Sequence, residues 1–293
     1  MVKERFIRYI RDEKRYSIHT LKAYQSDIEQ FYTFIDSHEI SEAKNITHHI
    51  IRSWIVDLIE ISNSNRSVNR KLSTLKSYFK FLLKEGEIKI NPMLKVLPPK
   101  TSKRLPVYLE QDAMKILLEE VEFEDNFSGL RDRLIIELFY ATGMRLSELS
   151  NLKISDINFV NINLKVLGKR NKERLIPFNQ KLTPLILRYL ESRKEFNSNS
   201  DYLFLTKKQE KIYDKLVYRV VNSYLSKVTS ITKRSPHVLR HTFATHMLNY
   251  GADLNAIKEI LGHSNLSATQ VYTHNTIDKL KSIYKTAHPS EKA

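Results

Sequence analysis

Residues 235–248 have the sequence SPHVLRHTFATHML, which places three histidines and one arginine within fourteen residues. Ser235 followed by Pro236 is typical of a helix start, since serine is favoured at the cap and proline is tolerated in the first turn. His237 and Arg240 lie three residues apart, so their side chains share one face of that helix. The spacing therefore predicts a histidine and an arginine together near a helix N-terminus.

Three chemical interpretations of this stretch compete. His237 and His241 lie four residues apart and could bind a metal, but Val238 stands where the helical zinc motif has glutamate. The apolar residues predict packing, and mid-helix His246 is interpreted as a histidine whose hydrogen bonds are satisfied inside the fold. Anion binding suits His237 and Arg240 best. Arginine stays charged and binds phosphate through a planar fork, and a helix N-terminus favours negative charge.

The charge of the chain also indicates a polyanionic partner. The 293 residues carry 48 lysines and arginines against 33 acids, a net charge of +15. Residues 1–100 hold 18 basic and 12 acidic residues, giving +6, and the remainder holds 30 and 21, giving +9. Because both parts are basic, the pattern predicts nucleic acid held between two domains, against the alternative of a generally lysine-rich protein.

Composition excludes several classes of protein. No apolar run approaches the length of a membrane span, and the N-terminus lacks the apolar region of a signal peptide. The chain has no cysteine, which excludes disulfides, zinc–thiolate sites and cysteine nucleophiles. We therefore expect a cytoplasmic protein without a membrane segment.

Four helical segments are predicted within residues 1–85. One begins at Ser17, another follows Thr47, and the last covers SNRSVNRKLSTLKSYFKFLLKEG (64–86). The last segment has one apolar stripe and no acid between Ser64 and Lys84. Its stripe contains Val68, Leu72, Leu75, Phe79 and Leu82, and its other faces carry Arg66, Arg70, Lys71, Lys76, Lys80 and Lys84. Exposed helices normally mix charges, so this basic run predicts phosphate contacts rather than an ordinary solvated face.

Prolines divide the chain into two predicted domains. Residues 87–107 contain four prolines and are predicted to form an extended, non-helical linker between a four-helix domain, 1–86, and a second domain, 108–293. In the second domain, helices are predicted near 110–121, 127–142, 181–195 and 213–228, and from Pro236 onwards with breaks at Gly251 and Gly262. A β-hairpin is predicted at Ile162–Leu167 and Arg174–Phe178. The expected fold class is mainly α with a small sheet, α+β.

Four sequence blocks in the second domain form a joint pattern. They are ATGMRLSELSNL (141–152) with Arg145, GKRNKERLIP (168–177) with Lys169, PHVLRHTFATHML (236–248) with His237 and Arg240, and LGHSNLSATQVYTH (261–274) with His263 and Tyr272. In order and spacing they closely resemble the tyrosine recombinase (phage integrase) family, and within it the Xer-type recombinases. The resemblance covers nearly the whole chain and implies a SAM-like core-binding domain before the catalytic domain.

The residues support a transesterification on DNA. A phenol with a pKa near 10 is a poor nucleophile at neutral pH unless it is activated. Two arginines, Arg145 and Arg240, could bind the non-bridging phosphate oxygens without a metal. The resemblance implies that Tyr272 is the nucleophile and forms a 3′-phosphotyrosine. No cofactor is implied, because the phosphotyrosine keeps the energy of the broken bond.

The resemblance assigns the remaining site residues as well. His237 and His263 complete the phosphate clamp, with His237 a candidate for proton transfer. Lys169 resembles the general acid that protonates the leaving 5′ oxygen. Glu148 either orients these groups, as the family's supporting acid does, or is an exposed helix residue. One departure is Arg170, where many relatives have glycine, and we expect it to alter the turn or to add a phosphate contact.

The implied partners are DNA and further recombinase protomers. The resemblance implies double-stranded DNA with an inverted-repeat site, a homo- or heterotetramer on two sites, and exchange through a Holliday junction, with a paralogous Xer recombinase and an FtsK-type translocase in many systems. It also implies a C-terminal helix docked into a neighbouring protomer, against the alternative of packing in cis. The residues predicted to contact DNA are Arg66, Arg70, Lys71, Lys76, Lys80, Arg170 and Lys172.

The resemblance favours resolution of chromosome or plasmid dimers for segregation at cell division. The sequence also leaves other functions open. An integrase or resolvase of a mobile element and a type IB topoisomerase would share the chemistry. A DNA-binding regulator that has lost catalysis, or a metallohydrolase, would not.

Overall fold

The computed structural model describes residues 2–40, 42–102, 107–168, 172–195, 200–262 and 274–289, with side chains from residue 280 in the last range. Contacts between residues divide the chain into two compact units, Met1–Arg104 and Leu105–Ala293. Each unit has its own apolar core. Among the described residues, no helix is both long and apolar enough to cross a membrane.

The N-terminal unit is built from four α-helices, as the sequence predicts. They are α1 (Val2–Arg8, extended by a π-helical turn at Tyr9–Glu13), α2 (Ile18–Asp36), α3 (His48–Glu60) and α4 (Asn65–Lys84). The side chains of Ser17 and Ser64 cap α2 and α4 by accepting hydrogen bonds from the backbone N–H of Thr20 and Ser67. All five residues of the predicted α4 stripe are buried, around a core that includes Trp54 and Phe31.

The segment after α4 packs more closely than a free linker would. Ile88, Met93 and Val96 are buried in the N-terminal core, and a short 3₁₀ helix forms at Pro92–Lys95. The expectation of a wholly non-helical segment is therefore wrong there. Proline restricts the backbone, but it does not prevent the residues between prolines from being buried.

The C-terminal unit surrounds one almost completely buried helix. The helices before the sheet are α5 (Gln111–Glu119), α6 (Phe127–Thr142) and α7 (Leu146–Ser150). Residues Leu134–Ile136 and Leu138–Ala141 of α6 are buried, and the helix ends at Gly143, whose φ of 58° is the left-handed conformation expected of a terminating glycine. Since α7 follows almost at once, α6 fixes where Arg145 begins the next helix.

A small antiparallel sheet confirms the predicted hairpin. It consists of β1 (Ile157–Asn158), β2 (Asn163–Leu167) and β3 (Glu173–Pro177) in that order. Strands β2 and β3 pair with Leu164 opposite Ile176, and their alternate residues are buried. Gly168 donates its backbone N–H to Lys172 O at 2.7 Å, which closes the hairpin loop at its base.

The remaining helices pack around α6 and against β3. They are α8 (Thr183–Lys194), α9 (Asp214–Val228), α10 (Pro236–Asn249), α11 (Leu254–Leu261) and α12 (His274–Ala287). The predicted breaks are confirmed at Gly251 and Gly262, which have φ values of 85° and 65°. Helix α12 packs on its own chain, against α10, α11 and β3. Its buried residues include Leu280 and Tyr284.

Candidate active site

Arg145 lies at the start of α7 and is held from two sides. Its Nη1 donates to Glu148 Oε1 at 2.7 Å, and its Nη2 donates to Gly262 O at 2.7 Å. The backbone N–H of Arg145 donates to Glu148 Oε2, also at 2.7 Å. The three-residue spacing on α7 brings the carboxylate back over the helix start. Glu148 therefore fixes both the backbone and the side chain of Arg145.

Glu148 is buried between two arginines. Its side chain is 2% exposed, and Arg174 Nη1 and Nη2 donate to Oε1 and Oε2 at 2.7 and 2.8 Å. Burial alone would raise the pKa of Glu148, but the hydrogen bonds and charges of Arg174 and Arg145 outweigh it and lower the pKa to about 2. The alternative of an exposed helix residue is therefore wrong. The carboxylate is ionised and shared by two guanidinium groups.

Arg240 projects from the first turns of α10 onto the ends of two other helices. Its Nη1 donates to Gly143 O at 2.6 Å, and its Nη2 donates to Leu261 O at 2.8 Å. These oxygens belong to the C-terminal ends of α6 and α11, where the helix dipole is negative and stabilises a cation. Burial, together with the positive charge of Arg145, lowers the pKa of Arg240 to about 10, so the group stays charged at neutral pH.

Gly143 lies so close to side chains of α10 and α11 that a larger residue would not fit there. A Cβ at Gly143 would lie 2.4 Å from the Phe243 ring and 2.7 Å from Leu261 Cδ2. Because the carbonyl of Gly143 accepts the bond from Arg240, a larger residue would displace both the helix end and the arginine. The glycine in the ATGMR block thus fixes a site residue as well as a helix terminus.

The structure places His237 where the sequence predicted. Helix α10 begins at Pro236, with Ser235 extended at the cap position, although the Ser235 side chain makes no capping hydrogen bond. His237 is exposed in the first turn, and Arg240 follows three residues later. His246 is buried, with Nδ1 3.0 Å from Tyr140 Oη and Nε2 2.9 Å from Leu109 O, which confirms that it is satisfied inside the fold.

Four of the predicted site residues lie outside the described residues: Lys169, Arg170, His263 and Tyr272. The described residues next to two of them, Gly262 and Gly168, lie close to Arg145, Glu148 and Arg174. The carbonyl of Gly262, directly before His263, accepts from Arg145. A Cβ at Gly168, directly before Lys169, would lie 3.4 Å from Arg174 Nη1 and 3.8 Å from Glu148 Oε1. Within the described ranges, no three histidines, aspartates or glutamates form a group that could hold a metal.

Sequence reasoning missed Arg174. This residue of β3 is 4% exposed, and besides Glu148 its Nε donates to Ile260 O at 2.8 Å. A signal was present, because the alternation of β3 puts Arg174 on the same face as buried Ile176. A charged residue at an inward strand position requires a buried partner.

The residues predicted to contact DNA fall into two groups. Arg66, Lys76, Lys80 and Lys172 are exposed. Arg70 is half exposed but donates to both oxygens of buried Asp27, at 2.5 and 2.6 Å. The Lys71 side chain is only 12% exposed, and its Nζ donates to Asp27 at 3.2 Å and to Gln30 at 2.6 Å. Lys71 therefore joins α4 to α2, whatever else it contacts.

The family of the protein follows from these features together with comparison to known proteins. Residues 107–279 match the phage integrase family, and residues 4–86 match the phage integrase N-terminal SAM-like domain. The chain belongs to the phage integrase family and is a tyrosine recombinase, a class that carries out site-specific DNA recombination.

The chain is also similar to individual named proteins of this family. Tyrosine recombinase XerC of Staphylococcus saprophyticus is 40% identical over 292 residues, covering 99% of this chain and 98% of that protein. XerC of Staphylococcus carnosus is 39% identical over the same length. Among solved structures, XerH site-specific recombinase bound to palindromic difH substrate, a post-cleavage complex, is similar with a TM-score of 0.74. Its identity of 21%, over 99% of this chain and 82% of that one, shows the shared fold.

Proposed function

We propose that Tyr272 attacks a DNA phosphodiester held by Arg145 and Arg240. The phenolic oxygen forms a bond to phosphorus as its proton passes to His237, the bond to the 5′ oxygen breaks, and that leaving oxygen takes up a proton from Lys169. The observation that carries this proposal is the fixed pair of guanidinium groups, because charge builds on the non-bridging oxygens during the attack. Arg145 keeps 30% of its side chain exposed and can reach a ligand.

The other roles rest on the sequence blocks and on family membership. We assign Lys169 as the acid that protonates the 5′ oxygen, and His237 and His263 as further phosphate ligands, with His237 in proton transfer. The exposed position of His237, three residues before Arg240 on α10, supports its part. Glu148 is assigned as the supporting acid. Neither a metal nor a cofactor has a role in this scheme, because the covalent intermediate stores the bond energy.

The biological role we propose is resolution of chromosome or plasmid dimers. Identity of 40% across nearly the whole length of XerC supports this role over that of a mobile-element integrase. The proposed substrate is an inverted-repeat duplex in the cytoplasm, bound by residues 1–86 and 108–293 of each protomer. Four protomers, either identical or paired with a paralogous recombinase, would act on two sites, and an FtsK-type translocase would control them.

A suicide substrate tests the chemistry directly. A duplex nicked next to the cleavage position loses a short 5′-hydroxyl strand, so cleavage traps protein covalently on DNA. We expect this adduct to form in EDTA, and Tyr272→Phe to bind the same DNA without forming it. Loss of the adduct in EDTA alone would restore the metal interpretation, and an adduct with Tyr272→Phe would remove Tyr272 from its role.

A further inference from the structure

We propose that Arg174 is a positioning residue, which fixes the Arg145 guanidinium through the Glu148 carboxylate that the two arginines share. The proposal rests on the proposed function, in which Arg145 binds the scissile phosphate. Arg174 itself is 4% exposed, and its described hydrogen bonds all go to Glu148 and Ile260. It therefore acts through its neighbours rather than on the substrate.

The contacts form a closed ring of four residues. Arg174 donates to Glu148, Glu148 accepts from Arg145, and Arg145 donates to Gly262 O. The ring closes by packing, since a Cβ on Gly262 would lie 3.0 Å from Arg174 Nη1 and 3.1 Å from Arg174 Cδ. Each member is held from two sides, so Arg145 cannot move without displacing its partners.

Arg174 also connects the three chain segments that meet at the site. It belongs to β3, it binds Glu148 of α7, and its Nε holds Ile260 O near the end of α11. Lys169 precedes β3 in the hairpin and His263 follows α11 in the sequence. The buried Arg174 side chain therefore connects β3, α7 and the end of α11. These elements carry the predicted catalytic residues or adjoin them in the sequence.

The charges explain why Glu148 is paired with Arg174 as well as with Arg145. An isolated pair of Arg145 and Glu148 would be neutral overall and would attract a phosphate only weakly. With Arg174 the three groups carry a net charge of +1. The buried Arg174 neutralises the Glu148 carboxylate, so the positive charge of Arg145 remains. The partly exposed Arg145 therefore keeps an attraction for an anion while its position stays fixed.

The test compares cleavage with binding in four proteins: wild type, Arg174→Met, Arg174→Lys and a matched control, Arg193→Met. Arg193 is also a buried arginine, 6% exposed, but it donates to the carbonyls of Ser200, Tyr202 and Leu203 away from Arg145. Single-turnover cleavage of the nicked duplex is measured at saturating DNA, the dissociation constant by mobility shift, and the melting temperature of each variant. Rates are expressed per folded, DNA-bound protein.

We expect Arg174→Met to slow cleavage on the order of 100-fold, the cost of a misplaced reacting group, with the DNA dissociation constant nearly unchanged. Arg174→Lys keeps the charge but not the two-pronged geometry, so it should recover part of the rate. Arg193→Met should lower the melting temperature without changing the cleavage rate. If Arg174→Met does not fold, the comparison of Arg174→Lys with wild type decides, and a wild-type rate there overturns the proposal.

A double-mutant cycle distinguishes action through Arg145 from independent action. In an Arg145→Ala background, Arg174→Met should reduce the remaining rate little further. Losses that multiply would overturn the proposal. An absent wild-type adduct, or one that persists in Tyr272→Phe, would instead refute the proposed function. Wild-type cleavage that depends on Tyr272 but is insensitive to Arg174 would refute this inference alone.

Discussion

Arg145 and Arg240 donate to consecutive carbonyl oxygens of one helix end, Arg145 to Gly262 O at 2.7 Å and Arg240 to Leu261 O at 2.8 Å. The end of α11 therefore sets the spacing of the two guanidinium groups. The left-handed φ of Gly262, 65°, turns these two carbonyls toward the arginines as the helix terminates. A phosphate that binds both groups depends on this backbone as much as on the side chains.

Gly262→Ala should therefore impair both stability and cleavage. The alanine Cβ would be strained by the positive φ and would lie 3.0–3.1 Å from the Arg174 guanidinium, lowering the free energy of unfolding by about 2 kcal/mol. Gly251→Ala is the matched control, with φ of 85° and nothing within 4 Å of the added Cβ. It should show the backbone strain, about 1 kcal/mol, with wild-type cleavage. Equal cleavage rates in both variants would contradict this view of Gly262.

Glu148 should make stability depend on pH in the acid range. Its pKa is lowered from 4.5 to about 2, so folding favours the ionised form. This contribution is fully present above about pH 5, is lost as pH falls toward 2, and amounts to about 3 kcal/mol. Denaturant titrations of wild type and Glu148→Gln should therefore differ most near neutral pH and converge below pH 3. A difference that stays constant from pH 7 to pH 3 would contradict the lowered pKa.

The sequence predicted the elements of this fold better than the partners of its charges. Caps and apolar periods located α2, α4 and α10, because those signals lie within a few residues of each other. The partner of Arg174 is Glu148, 26 residues earlier and on a different element, and local spacing cannot reveal such a pair. Local spacing likewise cannot reveal that Lys71 donates to Asp27, which lies 44 residues earlier on α2.

The exposed lysines of α4 provide a test of DNA contact in the N-terminal unit. Lys76→Gln and Lys80→Gln each remove one exposed charge from a helix that has no acid between Ser64 and Lys84. Each substitution should weaken binding and reduce the slope of log K against log salt by about 1, the value for one released counterion. Lys44→Gln is the control, because Lys44 is exposed but lies 2.8 Å from Glu42. A slope that is unchanged in both α4 variants would exclude phosphate contacts at these positions.

Asp27→Asn tests the basic cluster inside that unit. Asp27 is 1% exposed and accepts hydrogen bonds from Arg70, Lys71 and the hydroxyl of Thr74, the last at 2.7 Å. The amide would leave Lys71, which is largely buried, without its carboxylate partner, so the free energy of unfolding should fall by about 3 kcal/mol. The exposed Asp36→Asn on the same helix is the control and should cost less than about 0.5 kcal/mol.

DNA binding measured well below the melting temperature separates the two roles of Arg70. If Asp27 holds Arg70 in place for a phosphate, affinity falls in Asp27→Asn as it does in Arg70→Gln. If affinity falls only in Arg70→Gln, the carboxylate stabilises the α2–α4 pair without orienting Arg70.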